Sequence, residues 1–386
     1  MSEGDLDKIL TRVHGLAGEL EPFREMLLAN VVMISEIPAP TFGEEERIGF
    51  LQQRFTESGL DTASIDEIGN GVGILPGTRG EQTILLTAHA DTPFSAPENH
   101  SCTLETDRIL GAGVADNSLG LAVLVTLPTI LEGLNIRLKS DLLFLGATAS
   151  LEQGNQRGLR FFLANTNRAL TAGISIEGAP LGRLHYRSMA SLGGMISCHV
   201  SRKVSQKSAI EVLNGIINRL GAIDLPEHNH TGLVLGEISG GASYKIPARN
   251  TQLTFQLRSD DDQTVVDIRN QINAIVDDEA RETGVSCHLE GIARTRAGGL
   301  ESDHELVVLT RKIMSALGIA SRESIYSAII SGYVEQELPA ICLGITDGDN
   351  INYPDEYVEI EPILTGVAQL IGVLMAIDGG CCAQYR

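Results

Sequence analysis

The run Thr83-Ile84-Leu85-Leu86-Thr87-Ala88 ends abruptly on His89-Ala90-Asp91. Apolar residues without a polar alternate read as a strand buried on both faces, the kind found in parallel sheets covered by helices. The pattern around it agrees. Asp141–Ala147, Ala172–Ile176 and Ala340–Gly344 are further short apolar strands. Helical spacing runs through Leu6–Ser35, Glu44–Ser58, Leu119–Leu134, Phe161–Ala164, Glu305–Leu317 and the apolar stretch Ile363–Ile377. Alternating strands and helices predict an α/β fold with a mainly parallel sheet. Gly59–Leu75 reads as two strands about a Gly69-Asn70-Gly71 turn. A 386-residue chain is too long for one ordinary core, so two domains are expected.

The character changes near Arg183. Leu192–Val200, Ser208–Leu220, Leu233–Ile238, Thr251–Arg258, Asp262–Thr283 and Ser286–Leu289 read in turn as strand, helix, strand, strand, helix and strand. Asp262 stands where an N-cap would. This is a ferredoxin-like β-α-β-β-α-β order. It predicts an α/β domain made of residues 1–183 and 298–386, interrupted by a small α+β domain at 184–297.

A net charge of −21 argues against nucleic acid or an anionic membrane as partner, because phosphate contacts need a basic face. No apolar run reads as long and clean enough to span a bilayer, Ile363–Ile377 coming nearest. The six cysteines are scattered except for Cys381-Cys382, and none forms a Cys-x-x-Cys knuckle. With no signal peptide at the acidic start, reduced thiols and a cytoplasmic location are expected.

His89 and Asp91 flank one small residue, so an extended backbone points both side chains the same way. Gly111-Ala112-Gly113-Val114-Ala115-Asp116-Asn117 then presents Asp116 just before an apolar helix, 27 residues after His89. An imidazole and carboxylates at strand ends suit a divalent metal such as zinc, expected outside the carboxyl ends of an open sheet. Each piece also has an ordinary reading: His-x-Asp as a local hydrogen bond, Asp-Asn as a turn or helix cap. His14, His100, His185, His228, His230, His288 and His304 lack ligand partners at useful spacing and read as surface or loop residues, with His228-Asn229-His230 able to bind stray metal. Gly111-Ala112-Gly113 lacks the spacing of a dinucleotide fingerprint.

This architecture, with His89-Ala90-Asp91, Gly113-Val-Ala-Asp116-Asn117-Ser-Leu-Gly120 and Asn352-Tyr-Pro354-Asp355-Glu356-Tyr357, resembles the co-catalytic zinc exopeptidases and amidohydrolases. That family includes carboxypeptidase G, aminoacylase, desuccinylase and tripeptide aminopeptidase. Thr41-Phe42-Gly43-Glu44, Leu257-Arg258-Ser259 and Ala297-Gly298-Gly299 also look familial. The resemblance implies a phosphorylase/hydrolase-like zinc-exopeptidase domain, with the small domain serving as lid and homodimer interface. It implies two zinc ions around a bridging Asp and hydrolysis of short peptides or N-acyl amino acids. By the same resemblance His89 is a metal ligand, Asp91 its orienting partner in the catalytic set, Asp116 the bridge and Glu177 the late acidic ligand.

The second metal's residues depart from the family pattern. The late His falls on Asn352. The family's Glu-Glu pair, base then ligand, falls on Ser150-Leu151 in a gapless register, or on Glu152-Gln153 if slid by two. The second register keeps Glu152 as general base and leaves Gln153 as a lost ligand. The family's lid His has no counterpart in Val200–Lys207; His199 is expected in the preceding strand, and the Gly-Gly loop's usual Asn is Lys245. Arg258 matches a substrate-carboxylate contact. Three expectations follow: a hydrolase with one intact metal site; a homologue that keeps the fold and binds metal or a peptide-like ligand without hydrolysis; or a second site rebuilt from Asp347, Asp349 or Glu152.

Overall fold

The computed structural model describes residues 3–80, 82–201, 207–226, 229–324 and 328–382. The chain forms two compact units: residues 1–187 with 299–386, and residues 188–298.

The first unit is built on an eight-stranded sheet. Its central strands, in spatial order, are Asp141–Ala147, Thr83–His89, Leu170–Glu177 and Ala340–Gly344, all parallel. Gly71–Leu75 and Thr62–Ile65 extend one edge antiparallel, and Arg183–His185 pairs antiparallel with Ala340–Gly344 on the other. Parallel neighbours bring His89 level with Ala147, and Gly344 level with Glu177. The carboxyl ends of the central strands therefore open at one rim. Such a rim is where ligands gather in open α/β sheets.

Helices Glu3–Glu19, Arg24–Ser35, Glu45–Glu57, Leu119–Gly133, Glu305–Ala316 and Ile363–Asp378 cover the sheet through one large core. The Leu6–Ser35 periodicity is thus two α-helices, separated by a short turn of helix carrying Pro22. Along Leu119–Gly133 nearly every side chain is buried, Leu119, Leu121, Val123 and Leu124 completely. Each such Leu contributes roughly 1.5–3 kcal/mol by leaving water. The membrane expectation needs correcting here. Val114–Gly133 is long and apolar enough to cross a bilayer, with a mean hydropathy of 1.6, and 89% of it is buried inside the protein. The sequence reading overlooked it because Asp116-Asn117 interrupts the apolar run at one end.

The second unit has the β-α-β-β-α-β order. Strands Ala190–His199, Gly232–Gly240, Asn250–Ser259 and Ser286–Thr295 form one antiparallel sheet, with Gly232–Gly240 at an edge and Ala190–His199 inside. Helices Ala209–Leu220 and Asp262–Thr283 pack on it through Val212, Ile216, Ile268 and Ile272. Ser208 and Glu211 close a capping box on the first helix. The second is capped by Asp261, whose carboxylate accepts from Thr264 N–H at 2.8 Å; Asp262, the residue expected there, is already in the first turn. The last strand runs six residues beyond the expected Leu289.

Candidate metal centre

His89 ends its strand at the rim. Its Nε2 lies 2.8 Å from Asp116 Oδ1 and 4.0 Å from Glu177 Oε2. Its Nδ1 is 2.9 Å from the backbone oxygen of Asp91 and 3.5 Å from Asp91 Oδ1. The orienting hydrogen bond thus runs to the Asp91 carbonyl, with the carboxylate standing farther back. That holds Nδ1 as the donor and turns Nε2 toward the two acids.

Asp91 is fully buried, and its Oδ2 accepts from Thr41 Oγ1 (2.9 Å), Ser150 N–H (2.9 Å) and Leu151 N–H (2.8 Å). Glu44, also buried, accepts from Ala149 N–H at 2.7 Å. Two acids therefore fasten residues 149–151 behind His89. Arg47 is completely buried beneath them, its guanidinium donating to the carbonyls of Ile37 and Ala90; burial pulls it down to about 10 despite nearby Asp91 and Glu44.

Asp116 sits in an irregular turn after Gly113, whose φ is +76°. A Cβ on Gly113 would lie 2.6 Å from Thr92 Cγ2, so both the turn's backbone and its packing require glycine. The Asp116–Asn117 peptide is cis. Asn117 accepts from Gly120 N–H at 3.1 Å, starting the apolar helix, and donates to Ile176 O at 2.7 Å, tying the turn to the strand that carries Glu177. Buried Glu356 accepts from Ala115 N–H (2.8 Å), Asp116 N–H (3.3 Å) and Asn352 N–H (3.0 Å), so it links the Asp116 turn to the Asn352 loop. Burial pushes Glu356 up to about 7 against those donors.

His89, Asp116 and Glu177 each offer one ligand atom, and these lie within 4.8 Å of one another. Among the described residues this is the one cluster of three or more His, Cys, Asp or Glu donors. Burial works against charge on all three. The hydrogen bonds of Asp116 and Asp91 outweigh it at His89, which is held well above its ordinary range, and the bond to His89 keeps Asp116 below its own. Glu177 is pushed up to about 7 by burial, although His89 and Arg183 pull the other way. His89 and Glu177 thus hold protons readily while Asp116 does not, and the pocket has a deficit of positive charge. An imidazole and two carboxylates with that deficit fit one divalent ion, whose binding would release those protons.

The other expected residues are placed differently. Glu152 and Gln153 lie in a short helical turn, Glu152–Gly154, and both are exposed. Glu152 lines a cavity of about 270 Å³ with His89, Asp116 and Glu177, and an adjoining one of about 490 Å³ with Asp116 and Asn352. Asn352 is exposed at φ +70°. Asp347 pairs with Arg322 at 3.1 Å, and neither it, Asp349 nor Glu152 joins a second donor cluster among the described residues. Arg258 and Lys245 are exposed in the second unit, and His199 ends a strand there, 2.6 Å from Asn250 Oδ1.

Several remaining histidines differ from the surface reading. His100 and His304 are buried, and His304 Nδ1 caps helix Glu305–Ala316 by accepting from Leu306 N–H at 3.1 Å. His185 lies within a strand of the main sheet, and His230 sits 2.6 Å from Asp260. His228, and positions 202–206 of the segment without a lid histidine, lie outside the described residues. Cys381 and Cys382, expected to be an incidental tail pair, are buried with their sulfurs 3.6 Å apart. Sequence reasoning missed Arg47 and Arg183 as parts of the site and quoted Thr41, Glu44 and Glu356 only within familial motifs, without a role; each is charged or polar on an amphipathic or loop segment, where solvent exposure is the usual outcome.

Residues 195–284 match the family described as a peptidase dimerisation domain. No curated protein matches the chain. The fold is shared with several solved structures. Aminopeptidase PepT from Bacillus cereus is 17% identical, with 92% of this chain and 98% of that one covered and a TM-score of 0.72. The di-peptidase Dug1p from Saccharomyces cerevisiae is 11% identical, with 96% and 99% covered and a TM-score of 0.76. The YXEP protein of Bacillus subtilis, described as a dinuclear metal binding peptidase from the M20 family, is 14% identical, with 92% and 98% covered and a TM-score of 0.65.

Proposed function

We propose that this chain, which has the fold of the M20 metallopeptidases, hydrolyses an amide bond of short peptides or N-acyl amino acids with one divalent metal held by His89, Asp116 and Glu177. Zinc is the ion that the imidazole and carboxylate set suits best. The observation carrying this reading is the convergence of those three donors, Glu177 buried and His89 and Asp116 half-buried, at the carboxyl ends of the sheet.

A divalent ion there would lower the pKa of water and polarise the scissile carbonyl. Asp91 holds His89 in its tautomer from behind. Glu152, facing the same cavity, takes the proton from the attacking water and returns it to the leaving amine. The cavity, about 270 Å³, suits a dipeptide-sized ligand. The match to a peptidase dimerisation domain supports a homodimer. So does the edge strand Gly232–Gly240, which exposes Val234, Leu235 and Ile238 and offers unpaired backbone to a second copy. This reading includes the cytoplasmic location expected from the scattered thiols.

A second reading keeps the metal and the ligand cleft without hydrolysis. It is favoured by exposed Asn352, and by Leu151 or Gln153 according to register, standing where the resembled family carries metal ligands. The first experiment is metal content per chain after zinc saturation and dialysis, on wild type and His89→Ala, beside hydrolysis of a panel of dipeptides and N-acyl amino acids. One ion lost in His89→Ala, with turnover, is the expected result. One ion with peptide binding and no turnover gives the second reading. No ion at all overturns the metal site.

A further inference from the structure

Arg183 has no role in the chemistry above, yet it lines the same cavity as His89, Asp116 and Glu177. It opens the short strand Arg183–His185, two places across the sheet from the strand that ends on Glu177. Its Nη1 lies 3.5 Å from Glu177 Oε2, the oxygen that also faces His89 Nε2 at 4.0 Å. The pair is enclosed, with side chains 17% and 4% exposed. At 3.5 Å the contact is an ion pair and falls outside hydrogen-bonding range. The buried Nε of Arg183 has no hydrogen-bond partner. The guanidinium therefore stands beside Glu177 as a charge, without the bidentate fork that usually pins an arginine to a carboxylate.

We propose that Arg183 is the built-in second cation of this centre, competing with a divalent ion for Glu177 and limiting the site to one weakly held metal. The inference rests on the metal site read above. Two carboxylates with a neutral imidazole carry two negative charges, and Arg183 cancels one of them. A dication then leaves the three donors and Arg183 with a net positive charge, which disfavours a second dication beside Glu177. Asp116, the other acid, also feels Arg183. Charge count and ligand loss thus point the same way: the side that would hold a second ion lacks its donors, and the enclosed centre already contains a fixed positive group.

The test measures zinc and cobalt affinity by competition with a chromophoric chelator on the full chain, comparing wild type with Arg183→Met, Arg183→Gln and Arg183→Lys. Removing a unit charge beside a buried carboxylate is expected to tighten metal binding at least about tenfold. Arg183→Lys should bind as wild type does. Melting temperature with and without zinc is the parallel readout: the neutral variants should gain more from the metal than wild type gains, by linkage. Two neutral variants guard against one that does not fold. Tighter binding in either neutral variant supports the inference. Equal or weaker binding in both, with wild type still taking one ion, overturns the inference and leaves the metal site standing. No metal in any chain overturns both.

Discussion

On one side of the site, His89, Asp116 and Glu177 are enclosed, and hydrogen bonds hold His89 and the turn that carries Asp116. On the other side, Glu152, Gln153 and Asn352 are exposed, and Glu152 and Asn352 stand on backbone with positive φ. Both sides hang from the same framework, because Asp91 fastens residues 150–151 and Glu356 fastens Asn352. On the proposed reading, the loops that would flank a second ion are held in place while Gln153 and Asn352 offer it poor donors. Loop position and donor chemistry are separable: backbone hydrogen bonds hold the first, and a few side chains carry the second.

The largest effect should come from the enclosed side. His89→Ala removes a donor outright and should abolish metal retention on dialysis, since even residues that merely support a ligand are worth about 10–100-fold in affinity. Equilibrium dialysis checks it, and full retention by the variant would break the comparison. Next, Glu152→Gln should lower kcat by about 10²–10⁴ while leaving metal affinity unchanged, as loss of a general base does. Steady-state kinetics beside metal titration separates those two quantities.

A gain of function probes the exposed side. Asn352→His combined with Leu151→Glu, or with Gln153→Glu, should raise the metal content from one ion to two. The pair that succeeds identifies the register of residues 150–153. Failure of both would mean that the loops no longer converge, or that the centre rejects more positive charge. Arg183→Met added to each pair distinguishes those outcomes.

The smallest effect is in stability. His185, on the strand of Arg183, is held down to about 4 by burial and by the charge of Arg183, against an ordinary 6.5. A depressed histidine stabilises the fold above its unfolded pKa, and the contribution is lost as pH falls from about 6.5 toward 4. The loss is at most about 3 kcal/mol. Urea unfolding across that window should show wild type falling more steeply than His185→Gln. Parallel curves would remove His185 from the account.

Much of the architecture was legible because period and burial coincide. Thr83–Ala88, Asp141–Ala147 and Ala340–Gly344 are apolar without alternation, and they form central strands of the sheet. The second unit's two helices and four strands follow their apolar spacing closely. Errors arose where a local signal was shared by neighbours, as with Asp261 and Asp262, or where burial depended on distant packing, as with His100 and His304.

The sequence by itself determined the α/β order, the inserted β-α-β-β-α-β segment and the candidate donors His89 and Asp116; Glu177 came only from the family resemblance. These are readable because periodicity, turn chemistry and ligand type are properties of short stretches. Only the tertiary structure decided that the three donors converge, that the Asp91 carbonyl receives the His89 hydrogen bond, and that Arg183 stands over Glu177. Those facts depend on strands far apart in the chain lying side by side, and no local pattern encodes which charge will face which across a buried sheet end.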